Sequence, residues 1–152
     1  MDCQSIMRRP ATPLYDDEPL SSAIDFMVEK HMGLVPVVDR NEAFVGQLSG
    51  DRLMRAMLPK AFTYVRGVDN VSYVRESREE LRERLDELRN EPVGSIIDRN
   101  VAVVHPDTSI TEAVLLMSKN QNVVPVVEEG TEKLLGAISF FTVLEALMER
   151  ES

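Results

Sequence analysis

The run Leu34–Val38 reads LVPVV and the run Val123–Val127 reads VVPVV. A chain of 152 residues that writes the same proline-bearing apolar run twice, about 90 residues apart, is constrained to build one small unit two times. The match extends beyond the prolines. SIM at Ser5 faces SII at Ser95, and LSSAIDFM at Leu20 faces ITEAVLLM at Ile110. FVGQLSGDRLMRAML at Phe44 faces LLGAISFFTVLEALM at Leu134, so Gly46 aligns with Gly136, Ser49 with Ser139 and Ala56 with Ala146. Copy one gains one residue before the proline and loses it again in the following turn.

Each copy has the same internal order. A short β-favouring stretch comes first, ATPLY at Ala11 and VAVV at Val101. A helix start follows: Pro19 suits a first helical turn, and Ser109 with Glu112 has capping-box spacing. Leu20, Ala23, Ile24, Met27 and Val28 recur at helical spacing, as do Ile110, Ala113, Val114 and Met117. The proline-bearing runs are almost wholly apolar, which predicts strands buried on both faces. Polar turns, second strands and closing helices after Ser49 and Ser139 complete a β-α-β-β-α unit in each copy. Proline donates nothing to a sheet ladder, so its place at a strand end predicts backbone groups released toward a cleft.

Charge and composition exclude several classes. A net charge of −9 opposes a nucleic-acid partner or direct membrane binding. The single cysteine, Cys3, permits no intrachain disulfide and fits a reducing cytoplasm. No apolar run approaches about 18 residues, so no membrane insertion is expected. His31 and His105 stand apart without zinc-ligand spacing, and no metal site is expected. No nucleophile is paired with a base and no phosphate-binding glycine pattern occurs, so the chain does not read as an enzyme.

The middle of the chain predicts a helix over about residues 76–89. Its Val74, Leu81, Leu85 and Leu88 stripe is narrow enough for contact with another helix. Two readings stand: a contact with a second chain, or a helix folded back on its own repeat. The preceding Phe62, Tyr64, Val65, Val68, Val71, Tyr73 and Val74 are apolar enough to need cover.

The repeated xVPVV[DE] strands, the repeated [VL]-G-x-[LI]-S strands running into helices, and the leading SIM/SII resemble a tandem CBS-domain pair, or Bateman module. The resemblance covers nearly all of the chain outside its middle. It implies an α/β (α+β) fold with two pseudo-two-fold-related repeats, residues 1–58 and 93–152, whose sheets pack face to face around a connecting segment, residues 59–92. It further implies two clefts between the repeats, assembly as a homodimer, and regulation of an enzyme or transporter in response to an adenosine-type ligand such as AMP, ATP or S-adenosylmethionine. The implied ligand positions are Val35, Pro36, Ser49, Asp51 and Arg52 in copy one. In copy two they are Val103, Val104, Val124, Pro125, Ser139 and Thr142. Ser49 and Ser139 have two readings: helix N-caps worth about 1 kcal/mol each, or hydroxyls at a phosphate site. The chain departs from the family pattern Gly-x-x-[Ser/Thr]-x-x-Asp, because Arg52 and Thr142 occupy the position of the ribose-binding Asp. Asp51 lies one residue earlier. The departure leaves a rival reading, a scaffold with empty clefts.

Overall fold

The structure is a computed structural model and describes residues 1–9, 13–58 and 77–149. Repeat one comprises β1 (Leu14–Tyr15), α2 (Leu20–Lys30), β2 (Leu34–Val38), β3 (Phe44–Ser49) and α3 (Gly50–Ala56), preceded by α1 (Cys3–Ile6). The connecting segment contributes α4 (Arg78–Arg89). Repeat two begins with a 3-10 turn (Val93–Ser95) and continues through α5 (Ile110–Met117), β4 (Val123–Val127), β5 (Leu134–Ser139) and α6 (Phe140–Met148). The expected α/β pair of β-α-β-β-α-like repeats with two small sheets is the architecture observed.

The first strands differ from expectation. In repeat one β1 pairs parallel with β2 over two residues. In repeat two the VAVV stretch contributes only Val104, in a single parallel bridge to Val126. Proline stops that ladder. Val104 N–H donates to Pro125 O, and Val127 N–H donates to Val104 O. The next bond would need an amide proton at residue 125, which proline lacks. Ala102 O is taken instead by Gln121 Nε2 at 2.7 Å, and the chain before Ala102 leaves the sheet.

Helix ends follow the sequence closely. Ser49, Ser77, Ser109 and Ser139 all accept a backbone N–H from three residues on. The reciprocal capping box, expected at Ser109 and Glu112, forms at Ser139 and Thr142. Pro19 stands one position outside α2 as its N-cap, and Leu20 N–H is satisfied by Glu91 O at 2.7 Å.

The repeats exchange their leading segments. Cys3 is buried in the core of repeat two, where Ile6 and Met7 pack beside Val104, Val124, Val126 and Ile138. Val93 and Ile97 are buried in the core of repeat one with Leu20, Val35, Val37 and Leu48. Hydrogen bonds fix the exchange reciprocally. Arg8 N–H donates to Ala137 O and Ala137 N–H to Arg8 O; Asp98 N–H donates to Gln47 O and Gln47 N–H to Asp98 O. The bridges Asp2 to Ser109 and Pro19 to Pro92 repeat this relation. On the pseudo-two-fold axis the two hairpin turns meet, through Phe44 N–H to Glu132 O and Leu134 N–H to Glu42 O. Burial, reinforced by Asp2 and then Glu112, pushes the Cys3 thiol up to about 11, so it stays protonated at neutral pH.

Helix α4 lies against α2 of its own repeat. Leu88 packs on the core of repeat one, Arg84 Nε donates to Met57 O at 2.7 Å, and Arg89 approaches Asp25 to 3.8 Å. Of the two readings of this helix, the structure shows the folded-back one. The apolar stretch Phe62 to Val74 lies outside the described residues.

The exchange requires glycine at two matched positions. A Cβ on Gly46 would lie 2.4 Å from Asp98 O, and one on Gly136 would lie 2.8 Å from Arg8 O. Gly46→Ala and Gly136→Ala are each expected to destabilise the fold by roughly 2–3 kcal/mol, since backbone must shift. Gly33→Ala, with nothing within 4 Å of the added carbon, is the control and is expected to stay within about 0.5 kcal/mol. Chemical denaturation of the three variants measures this.

Candidate functional site

The exchange of leading segments leaves a hollow between the repeats, of about 600 Å³. One wall comes from repeat one: Gly33 and Leu34 ahead of β2, Gln47 on β3, and Ser49 and Asp51 at the start of α3. Gly50 N–H donates to Gly33 O at 2.9 Å and binds these two stretches together. The other wall comes from repeat two. It consists of Asp98, Asn100 and Val101 on the strand-like lead, and the stretch Lys119–Val123 between α5 and β4.

The polar groups in this cleft fall into two kinds. Some are committed to structure. Gln121 holds both Ala102 O and Val123 O through Nε2, and Asp98 Oδ1 accepts Asn100 N–H at 2.9 Å. Others retain capacity. Ser49 Oγ accepts Arg52 N–H at 3.3 Å, which leaves its own proton to donate. The hydroxyl is therefore at once an N-cap and part of the cleft wall, so its two readings coexist. Gln47 is only 6% exposed, and its Oε1 is enclosed without a hydrogen-bond partner. A buried amide oxygen left unpaired costs about 1–3 kcal/mol. Asp51 is exposed in the first turn of α3, and Lys119 is the cation of the cleft lining.

Of the residues anticipated from the sequence, the cleft gathers Ser49 and Asp51. The others lie elsewhere, the strand residues among them because of strand alternation. Val35 is buried in the core of repeat one, and Val104 and Val124 in the core of repeat two, while their neighbours Leu34 and Val123 face the cleft. Pro125 is buried, and Pro36 and Val103 are half-buried, and none of the three lines this cleft. Arg52 turns away from it. Its Nε donates to Ile96 O at 2.8 Å, and it borders a separate hollow of about 240 Å³ with Arg55, Ser95 and Ile96.

Ser139 and Thr142 hold each other. Their hydroxyl oxygens are 2.9 Å apart, Ser139 N–H donates to Thr142 Oγ1, and Thr142 N–H to Ser139 Oγ. They form a closed cap. The pseudo-two-fold mates of Asn100 and Val101 are Pro10 and Ala11, which lie outside the described residues.

Sequence reasoning overlooked Gln47, Asp98, Asn100 and the polar stretch Lys119–Asn122. Two signals were present. Gln47 is the one amide in an otherwise apolar strand where copy two has Ala137, and SKNQN inserts five polar residues before an entirely apolar strand.

Among the described residues no group of three His, Cys, Asp or Glu could hold a metal ion, and His105 Nδ1 lies 3.1 Å from Val127 O. Among them, no helix is long and apolar enough to cross a membrane.

Comparison with known proteins gives one family and one fold. The CBS domain model matches residues 3–59 and 93–149. No curated protein sequence matches. The chain is similar to the crystal structure of CBSX2 in complex with AMP, with 21% identity and a TM-score of 0.68, covering 97% of this chain and 96% of that one. CBSX2 from Arabidopsis thaliana is also matched in a second structure, with 20% identity and a TM-score of 0.72 over 97% of this chain and 94% of that one. MJ1225 from Methanocaldococcus jannaschii, a putative archaeal homolog of g-AMPK, is 22% identical with a TM-score of 0.74, covering 97% of this chain and 50% of that one.

The unpaired Gln47 oxygen yields a stability test. Gln47→Met keeps the volume and removes the enclosed acceptor, so the ligand-free chain is expected to gain about 1 kcal/mol. A loss of stability on thermal unfolding would mean that the amide has a structural partner.

Proposed function

The chain belongs to the CBS-domain family, and from that membership we propose that it is a regulatory CBS-pair module that binds an adenosine-type nucleotide in the cleft between its repeats. The carrying observation is the cleft itself. It is of nucleotide-accommodating size, is walled by both repeats, and is lined by Gln47, whose Oε1 lacks a hydrogen-bond partner, beside Ser49 and Asp51.

The roles follow from the groups available. Asp51 takes the ribose hydroxyls in place of the family's Asp, whose position Arg52 holds. Ser49 donates its free proton, and Leu34, Val101 and Val123 flank the base. Val35, Pro36, Val103, Val104, Val124 and Pro125 act behind the wall, setting the strand ends from which the cleft is built. Ser139 and Thr142 serve as a cap. Lys119 can neutralise one phosphate, but Asp51 and Asp98 disfavour a longer anionic tail. AMP therefore suits this cleft better than ATP, and S-adenosylmethionine, whose tail is not polyanionic, is also compatible. The CBSX2 complex with AMP supports the same ligand class.

A ligand touching both repeats favours one relative arrangement of them, and it shifts that balance only by its differential affinity for the two arrangements. In this reading the module works in the cytoplasm as a homodimer and transmits the shift to an enzyme or transporter, with no catalysis of its own. The acidic net charge of −9 speaks against nucleic acid as that partner. The second reading is a scaffold with empty clefts, favoured by Arg52 and Thr142 at the family's ribose-Asp positions.

Titration calorimetry with AMP, ATP and S-adenosylmethionine separates the two readings. AMP is expected to bind in the micromolar range and more tightly than ATP, and Asp51→Ala is expected to weaken AMP by about tenfold or more. Absence of binding by all three up to millimolar concentration would leave the scaffold.

A further inference from the structure

Pseudo-symmetry singles out an arginine pair that the fold leaves unmatched. Arg8, on the lead of repeat one, is ion-paired with Glu145 on α6. The repeat alignment matches Arg8 with Asp98 and Glu145 with Arg55, so the mate of this pair has its charges exchanged. That mate pair is open. Asp98 lines the cleft and accepts Asn100 N–H, and the Arg55 guanidinium makes no ion pair or hydrogen bond among the described residues. Arg55 instead borders the hollow of about 240 Å³ that it shares with Arg52, Ser95 and Ile96. The two arginines stand three residues apart on α3, where like charges repel. No carboxylate lines this hollow, in a chain whose net charge is −9. Repeat two has Thr142, closed on Ser139, and the paired Glu145 at the same positions. Both copies keep the same fold, so the fold itself does not require two cations here.

We propose that Arg52 and Arg55 form a binding site for a phosphoryl-type oxyanion, either inorganic phosphate or the phosphate of a monoester, at the seam between α3 and the lead of repeat two. Arg52 is already set in place. Its Nε donates to Ile96 O at 2.8 Å, which leaves the terminal nitrogens to donate elsewhere. Arg55 is exposed and brings a second guanidinium to the same space. Planar guanidinium forks suit a tetrahedral oxyanion, whose oxygens accept paired N–H bonds. Ser95 gives its hydroxyl proton to Pro92 O at 2.7 Å and serves as wall. The hollow is smaller than the roughly 300–1,000 Å³ of pockets that enclose drug-sized molecules, which fits a small ion or a single phosphate group. It shares no lining residue with the larger cleft. The inference therefore concerns a separate site and holds whether or not that cleft binds a nucleotide.

NMR titration of the full chain at low ionic strength tests it, with inorganic phosphate, with phenyl phosphate as the monoester, and with sodium chloride at matched ionic strength as the blank. The amides of Arg55, Ser95 and Ile96 are expected to shift saturably with phosphate, with a Kd of about 1 mM or below. Arg55→Gln is expected to weaken phosphate by about tenfold or more. Lys133→Gln removes the same charge from the exposed hairpin turn of repeat two and is expected to change the affinity by less than about twofold. Neither side chain has a partner in the fold, and thermal unfolding checks that both variants keep it. Tighter binding of phenyl phosphate would identify an organic phosphate as the occupant, and equal or weaker binding the free ion. No saturable shift up to about 20 mM phosphate, shifts confined to Lys119–Val123 in the larger cleft, or equal weakening by Arg55→Gln and Lys133→Gln would overturn the proposal.

Discussion

The fold depends on a reciprocal exchange of backbone hydrogen bonds. Arg8 pairs with Ala137 and Asp98 with Gln47, each pair through two bonds of 2.8–3.0 Å. These residues are related by the same spacing that relates the repeats. The exchange carries apolar side chains with it, Cys3 into one core and Val93 and Ile97 into the other. Each core is thus completed by the lead of the opposite repeat. Small sheets of three and two strands are marginal alone, and the exchange makes the stability of each conditional on the other.

The cleft follows from the same constraint. A continued parallel ladder would absorb the lead of repeat two into the sheet of β4. Pro125 prevents this by withholding one amide, and Gln121 caps the released carbonyl. The lead then runs from Asp98 to Val101 along the cleft toward β3 of repeat one. Gln47 and Asp98 are both exchange partners and wall residues, so the element that joins the repeats also reaches the place where a ligand would sit. In the proposed reading, a ligand in this cleft would act on the junction directly, with no further relay.

Much of this was legible in the sequence. The doubled VPVV strand, the matched glycines and the serine caps at Ser49, Ser109 and Ser139 reported the unit, its duplication and its helix starts, because these depend on local periodicity and local hydrogen bonds. The exchange of leads was not legible. The sequence marks the leading SIM and SII as matched but does not say that each enters the core of the opposite repeat. At the candidate cleft, strand alternation turns Val35 and Val124 inward and Leu34 and Val123 outward, a choice of face that the all-apolar strands do not reveal in sequence. Arg52 lies outside this cleft for a tertiary reason, the carbonyl of Ile96, which reaches α3 only after the repeats have joined.

The central claim is that the exchange pairs are an integral part of the fold and do not behave as frayed ends. Native-state amide hydrogen exchange at Arg8, Gln47, Asp98 and Ala137 tests it most directly. The account predicts that these four amides exchange only through global opening, with protection equal to that of Val37 and Val126 in the sheet centres. Rapid exchange at Arg8 and Asp98 while the hairpins stay protected would contradict it, since the leads would then be dispensable to both cores.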